Sequence, residues 1–164
     1  MDDFIYVGKI VNTHGLKGEI RILSDFEYKE KVFVPGMTIY IGRKKELEKL
    51  VTYRHHKNFE MITMEGFNDI NEVLRFKGLY VYVKREDLNL SNNEYLDTDY
   101  IDLDVIVDNS IIGKVKDIRD TGNNKILVID SNDKEVLIPL QKEFIKEVNL
   151  DSKTITILPI KGMF

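Results

Sequence analysis

From Phe4 to Leu158 one short pattern recurs: a run of four to eight residues rich in Ile, Val, Tyr and Thr, closed by a polar turn. Runs of this length with apolar and polar residues alternating read as strands with one wet face. The chain has 20 isoleucines and no alanine. It therefore lacks the best helix former and is rich in a residue that prefers strands. Strands are expected over 4–11, 19–23, 37–41, 47–53, 59–64 and 79–83. Residues 68–77 break the alternation. Ile70, Val73 and Leu74 stand at helical spacing, with Asn68 as N-cap and Gly78 just past the end, so one short helix is expected there.

The polar stretch Asn89–Glu94 has no periodicity, which places a linker at 86–97 between domains 1–85 and 98–164. Strands resume at 104–107, 112–119, 125–129, 135–138 and 153–158. Their close spacing points to a second small barrel or a curled sheet. The piece from Gln141 to Val148 reads as an irregular exit with at most one helical turn. Gly-Lys followed by a β-branched residue occurs in both halves, at Gly8–Ile10 and Gly113–Val115, which is too short to be a repeat.

A chain of 164 residues buries roughly 70% of its unfolded surface, enough for a core without covalent staples. There is no cysteine, which excludes disulfides and thiol catalysis and fits a reducing cytoplasm. No apolar run approaches the ~18 residues of a spanning helix, and the N-terminal residues do not form a signal peptide, so a cytoplasmic chain is expected. The net charge of -4 hides an asymmetry. Residues 1–85 carry 15 Lys and Arg against 12 Asp and Glu, a net of +3, whereas residues 86–164 carry 9 against 16, a net of -7. Between Glu86 and Gly113 stand eight acids and no base. Such a split suits two different partners, one rich in phosphate and the other basic.

No constellation of a known enzyme stands in the sequence. HExxH, GxSxG, Walker A and GxGxxG patterns are all missing. His55 and His56 are adjacent, so on a strand they point to opposite faces, near the cluster Arg43, Lys44, Lys45, Lys49, Arg54 and Lys57. Asp102 and Asp104 are expected to share a strand face, as are Asp97 and Asp99. They lack the glycine of a calcium loop, so no metal is expected. The segment Asn12–Gly18 joins two strands with two glycines, and His14 and Lys17 can present donors there. Tyr95, Leu96, Tyr100 and Ile101, rimmed by Asp97, Asp99, Asp102 and Asp104, form the kind of apolar-and-acidic patch that meets a Lys/Arg-rich protein. In the other reading Tyr100 packs inside, and Tyr95 makes the contact.

The run from Gly8 to Phe26, GKIVNTHGLKGEIRILSDF, resembles the N-terminal signature of the RimM family of bacterial ribosome maturation factors. The later runs IIGKVKDIRDTGNNKILVI, KEVLIPL and IKEVNLDSKTITI resemble the family's PRC-barrel domain. The resemblance implies a mostly β protein of two small barrels, with no enzymatic activity and no cofactor. It implies a monomer that helps assemble the head of the small ribosomal subunit and aids 16S rRNA processing. The implied partners are ribosomal protein S nineteen, a basic head protein, and immature small subunits with their 16S rRNA. Tyr95, Asp97, Asp99 and Tyr100 are expected at the ribosomal protein, and His14, Lys17 and Arg21 toward rRNA. Three departures stand out. Tyr95-Leu96 replaces the family's paired tyrosines, Asp102 stands where a glycine is usual, and Lys125 replaces an acid. A PRC-barrel scaffold that recruits proteins without a ribosomal role is the alternative.

Overall fold

The computed structural model describes residues 4–159, and the chain divides into two compact units between Asn92 and Asn93. The first holds β1 (Phe4–His14), β2 (Glu19–Leu23), α1 (Lys29–Val32), β3 (Thr38–Ile41), β4 (Glu46–His56), β5 (Phe59–Met64), α2 (Ile70–Val73) and β6 (Tyr80–Lys84). Its strands pair in the order β1-β2-β5-β4-β3-β6, and β6 pairs back onto β1, so the ladder closes on itself. Closure needs long strands that bend. β1 and β4 are eleven residues each, and each serves two partners across a bulge, which kinks a strand and raises its twist. Gly8 sits at the bulge between β1 and β6. A Cβ there would stand 2.8 Å from Ile22 Cγ2 and 2.9 Å from the Leu23 carbonyl oxygen, so only glycine lets β2 approach.

Inside the ring lie Val7, Ile10, Ile20, Ile22, Ile39, Leu50, Ile62, Val81 and Val83, all at most 1% exposed. Each contributes about 2 kcal/mol of apolar burial. The expected helix is α2, prolonged by a 3-10 turn from Leu74 to Phe76. Its cap is Asp69 rather than Asn68. The Asp69 carboxylate accepts from the Asn71 N–H at 2.8 Å, while the Asn68 N–H donates to Glu72 at 3.0 Å. The four-residue α1 was not expected, because Lys29–Val32 is too short to show a helical period.

The second unit contains α3 (Asp97–Tyr100), β7 (Asp104–Val107), β8 (Ser110–Asp120), β9 (Lys125–Ser131), β10 (Lys134–Pro139), β11 (Ile145–Asn149) and β12 (Thr154–Ile157). They form a six-stranded sheet in the order β10-β9-β8-β7-β12-β11, with β12 parallel to β7. Of the two structures the spacing allowed, barrel or curled sheet, this ladder runs from β10 at one end to β11 at the other. Pro139 falls on that end strand, where a missing donor is tolerated. The core is Tyr100, Leu103, Val105, Val115, Leu127, Ile129, Ile138, Ile155 and Ile157.

Two expectations are corrected here. Residues 141–144 do make one turn, closed by the Ile145 N–H donating to the Gln141 carbonyl at 3.1 Å, but the rest of the piece is no irregular exit: it is strand β11, whose register slips between Ile145 and Glu147. That bulge puts the apolar residues Ile145 and Val148 three apart, a spacing that imitates a helical turn. Asp102 and Asp104 do not share a strand. Asp102 has φ +68°, in the turn before β7, and its N–H donates to the Val115 carbonyl at 2.8 Å. The aspartate thus occupies a left-handed position that favours glycine. Within the stretch 86–97, Leu88 and Leu96 are each 1% exposed.

Candidate functional site

His14 ends β1 and Arg21 lies in β2, and the antiparallel pairing of these strands brings them together. Arg21 Nη2 donates to His14 Nδ1 at 2.7 Å. A guanidinium can only donate, so this imidazole nitrogen accepts and the ring's proton sits on Nε2. Arg21 lies 5.6 Å from the centre of the Phe59 ring, and its Nε is buried with no hydrogen-bond partner among the described residues. Lys17 stands exposed in the tight turn between β1 and β2. Its neighbour Leu16 is 79% exposed. Beside it is a depression of about 480 Å³ lined by His14, Gly15, Leu16, Lys17, Glu19 and Thr63.

The sheet adds residues that sequence spacing did not single out for this face. Met61 of β5 pairs with both Arg21 of β2 and Arg54 of β4, which sets the two arginines on either side of one strand. Arg54 is held by Glu19 through two hydrogen bonds of 2.9 and 2.7 Å. The Arg54 hydrogen bond holds the Glu19 carboxyl below the usual carboxylate range. His56 has its ring centre 6.2 Å from that of His14. Desolvation, followed by the charge of Arg54 and of the neighbouring Lys57 and Arg21, pushes the His56 pKa down. Arg54 is neutralised by a carboxylate, whereas among the described residues no ion pair involves Arg21 or Lys17. Their charge is therefore offered outward, as an anion site requires.

His55 turns the other way, as alternation on a strand requires. Its Nδ1 lies 2.9 Å from Glu60, a carboxylate whose side chain is only 2% exposed. Tyr53 donates to the same group at 2.7 Å, and Lys29 lies 3.8 Å away. Burial raises the Glu60 pKa, but the hydrogen bonds from Tyr53 and His55 outweigh it and hold the pKa below its ordinary value. Burial, followed by the bond to Glu60, pushes the Tyr53 hydroxyl up to about 12. Every partner in this group is spent on the buried charge, so it reads as a satisfied ion pair.

In the second unit the four expected contact residues divide. Asp97 and Asp99 belong to the single turn α3 rather than to a strand. Asp99 Oδ2 accepts from the Leu96 N–H at 2.8 Å and so caps that turn. Tyr100 is 7% exposed and belongs to the core, the inward one of the two placements the sequence allowed for it. The Tyr95 ring packs edge-on against Tyr100 at 5.9 Å and is only partly buried. Asp97 is bound by Lys125 at 2.7 Å, so the lysine that departs from the family pattern neutralises one of the expected acids. Among the described residues no group of three or more His, Asp or Glu is arranged to hold a metal ion, and no helix is long and apolar enough to cross a membrane.

Comparison with known proteins follows the same two-part division. The RimM N-terminal domain matches residues 5–88, and the RimM PRC barrel domain matches residues 97–163. A ribosome maturation factor RimM of Staphylococcus haemolyticus is 40% identical over 97% of this chain and 98% of its own length. The protein of the same name from an Exiguobacterium species is 40% identical over 98% of this chain and 96% of its own. A solved structure from Pseudomonas aeruginosa, described as a 16S ribosomal RNA processing protein RimM, is 22% identical with a TM-score of 0.47. That alignment covers 96% of this chain and 98% of the other. With both domain types matched in order along nearly its whole length, the chain belongs to the RimM family.

Proposed function

We propose that this chain is a cytoplasmic, monomeric ribosome maturation factor that assists assembly of the small-subunit head and 16S rRNA processing. It acts without covalent chemistry, by binding ribosomal protein S nineteen and nearby rRNA in an immature particle. The observation that carries this reading is the 40% identity, across both domains, to relatives named as ribosome maturation factors. A factor that binds one rRNA–protein arrangement more tightly than another shifts the population toward it. The charge asymmetry supports the choice of partners. A module of net charge -7 attracts a basic protein and steers its approach more than it fixes final affinity.

Tyr95 and Asp97 form the contact to the ribosomal protein in this reading, with Asp99 and Tyr100 holding the turn beneath them. His14, Lys17 and Arg21 face rRNA. The test is binding of the full chain to free S nineteen, to immature small subunits and to mature ones across a salt series. Tyr95→Ala and Asp97→Asn weaken the S nineteen complex, and Arg21→Gln weakens only binding to particles and flattens its salt dependence. Binding to none of the three partners overturns the proposal and leaves a PRC-barrel scaffold. Equal affinity for immature and mature particles removes the maturation role.

A further inference from the structure

The outward face of β1, β6 and β3 is built almost entirely from aromatic rings and lysines. Pairing sets Phe4 opposite Lys84, Tyr6 opposite Tyr82, Lys9 opposite Tyr80, and Tyr82 opposite Tyr40. The bulge between Tyr6 and Gly8 keeps both Tyr6 and Lys9 on the outside while Val7 and Ile10 point in. Lys45, in the turn after β3, reaches back over this surface. Its Nζ lies 4.1 Å from the centre of the Tyr82 ring and 5.5 Å from that of Phe4. Lys84 lies 5.3 Å from the Tyr40 ring, and Lys9 lies 5.8 Å from Tyr80. Tyr6 meets Tyr80 and Tyr82 edge-on at 5.5 and 6.2 Å. Tyr6 and Tyr80 remain 49% and 47% exposed. Asp25 lies close enough to act on Tyr6.

We infer that this face is a stacking platform for unpaired RNA, with bases laid on the half-exposed rings of Tyr6 and Tyr80 and the phosphates drawn by Lys9 and Lys45. Half-exposed rings at adjacent positions offer π-faces that every base can use, and lysines interleaved with them supply the sequence-independent charge. A docking site for a protein would carry aliphatic side chains at its centre. Here the exposed aliphatic side chains stand at the two flanks and not at the centre: Leu23 of β2, 50% exposed beside Lys9, and Leu47 of β4, 60% exposed opposite Tyr40. A DNA or RNA duplex hides its base faces and would use the lysines alone. The platform lies on the first half of β1, whereas His14 ends that strand, so it is separate from the His14, Lys17 and Arg21 face. It also stands apart from the ribosomal reading, because an RNA oligomer tests it with no ribosomal particle present.

The experiment titrates the full chain into a labelled unstructured RNA of about twelve nucleotides and into a hairpin duplex of equal length, with salt varied. The single strand binds more tightly than the duplex, and tyrosine emission falls as bases stack. Tyr6→Ala/Tyr80→Ala weakens single-strand binding by about tenfold or more without changing the salt slope. Lys9→Gln/Lys45→Gln lowers the slope of log affinity against log salt by roughly 1.4, at about 0.7 per phosphate released. Tyr6→Leu/Tyr80→Leu keeps the apolar bulk and must lose binding as well, which separates stacking from any loss of fold. The inference is overturned by no binding of the single strand at low salt, or by equal binding of the duplex. It is equally overturned if the tyrosine variants bind like wild type while Arg21→Gln does not, or if the face captures a protein and ignores RNA.

Discussion

Replacing Gly113 by alanine tests whether close backbone approach, rather than turn geometry, fixes a glycine in the second unit. Gly113 lies in β8, opposite Val105 of β7. A Cβ built on it meets the Asp130 carbonyl carbon at 3.0 Å and Ser131 Cα at 3.2 Å, and the Asp130 carbonyl oxygen is closer still. These are backbone atoms of β9, so no side chain can rotate away. The two strands must part around Lys114–Asp130 and Val115–Ile129, the neighbouring pairs of that ladder. Losing two ladder hydrogen bonds costs about 2 kcal/mol, and loosening the fully buried Val115 costs about 1 kcal/mol more. The expected loss is therefore about 3 kcal/mol, or a fall in Tm on the order of 15 °C for a unit of this size. Gly122 is the internal comparison. It has φ +92° and nothing within 4 Å of its Cβ position, so Gly122→Ala costs only the left-handed backbone penalty of about 1 kcal/mol. Urea unfolding followed by amide exchange on β8 and β9 measures both. Equal losses in the two variants, or a Gly113→Ala loss below about 0.5 kcal/mol, the ordinary scatter of neutral surface changes, would refute the steric argument.

Two further outcomes follow from the first and second units respectively. Glu46 and Glu48 share a hydrogen bond on β4. The Arg75 hydrogen bond, followed by that from Glu48, brings Glu46 down to about 2, while burial and then Glu46 push Glu48 up to about 7. Glu46 stabilises the fold above its ordinary pKa of 4.5 and ceases to do so as pH falls through about 2. Glu48 has the opposite sign, so its contribution is complete below 4.5 and is lost as pH rises through about 7. Glu48→Gln should remove the decline in Tm between pH 5 and pH 8, and a variant whose profile parallels wild type contradicts the shared proton. At Asp102, with φ +68°, substitution by glycine should hold or raise stability, while valine should cost about 2 kcal/mol because a β-branched residue resists that conformation. Thermal melts of the two variants check this, and equal Tm values contradict the strain.

The amphipathic alternation of β2, β5 and β7 is local, so their bounds could be read directly, at 19–23, 59–64 and 104–107. The helix at Ile70 was legible for the same reason. β11 was hidden because a bulge moved its apolar residues out of period. The Gly-Lys pattern at Gly8 and Gly113 was visible, but its meaning was not. Both glycines are required by how closely the next strand folds back against them, at Ile22 and Leu23 in one case and Asp130 in the other, and that approach is set by the register of each pair.

The candidate sites divide along the same line. Family, two-part organisation and charge asymmetry reside in residue order and composition, which exist before any folding. The pairing of His14 with Arg21 was within reach, since the two strands are joined by a short turn. Whether Tyr100 or Tyr95 faces outward depended on which ring the sheet of the second unit covers. The aromatic and lysine platform needed more: Phe4, Tyr6 and Lys9 meet Tyr80, Tyr82 and Lys84 only because the barrel closes β6 onto β1. A strand's own sequence sets which of its side chains share a face. Only the register between distant strands decides which faces become one surface.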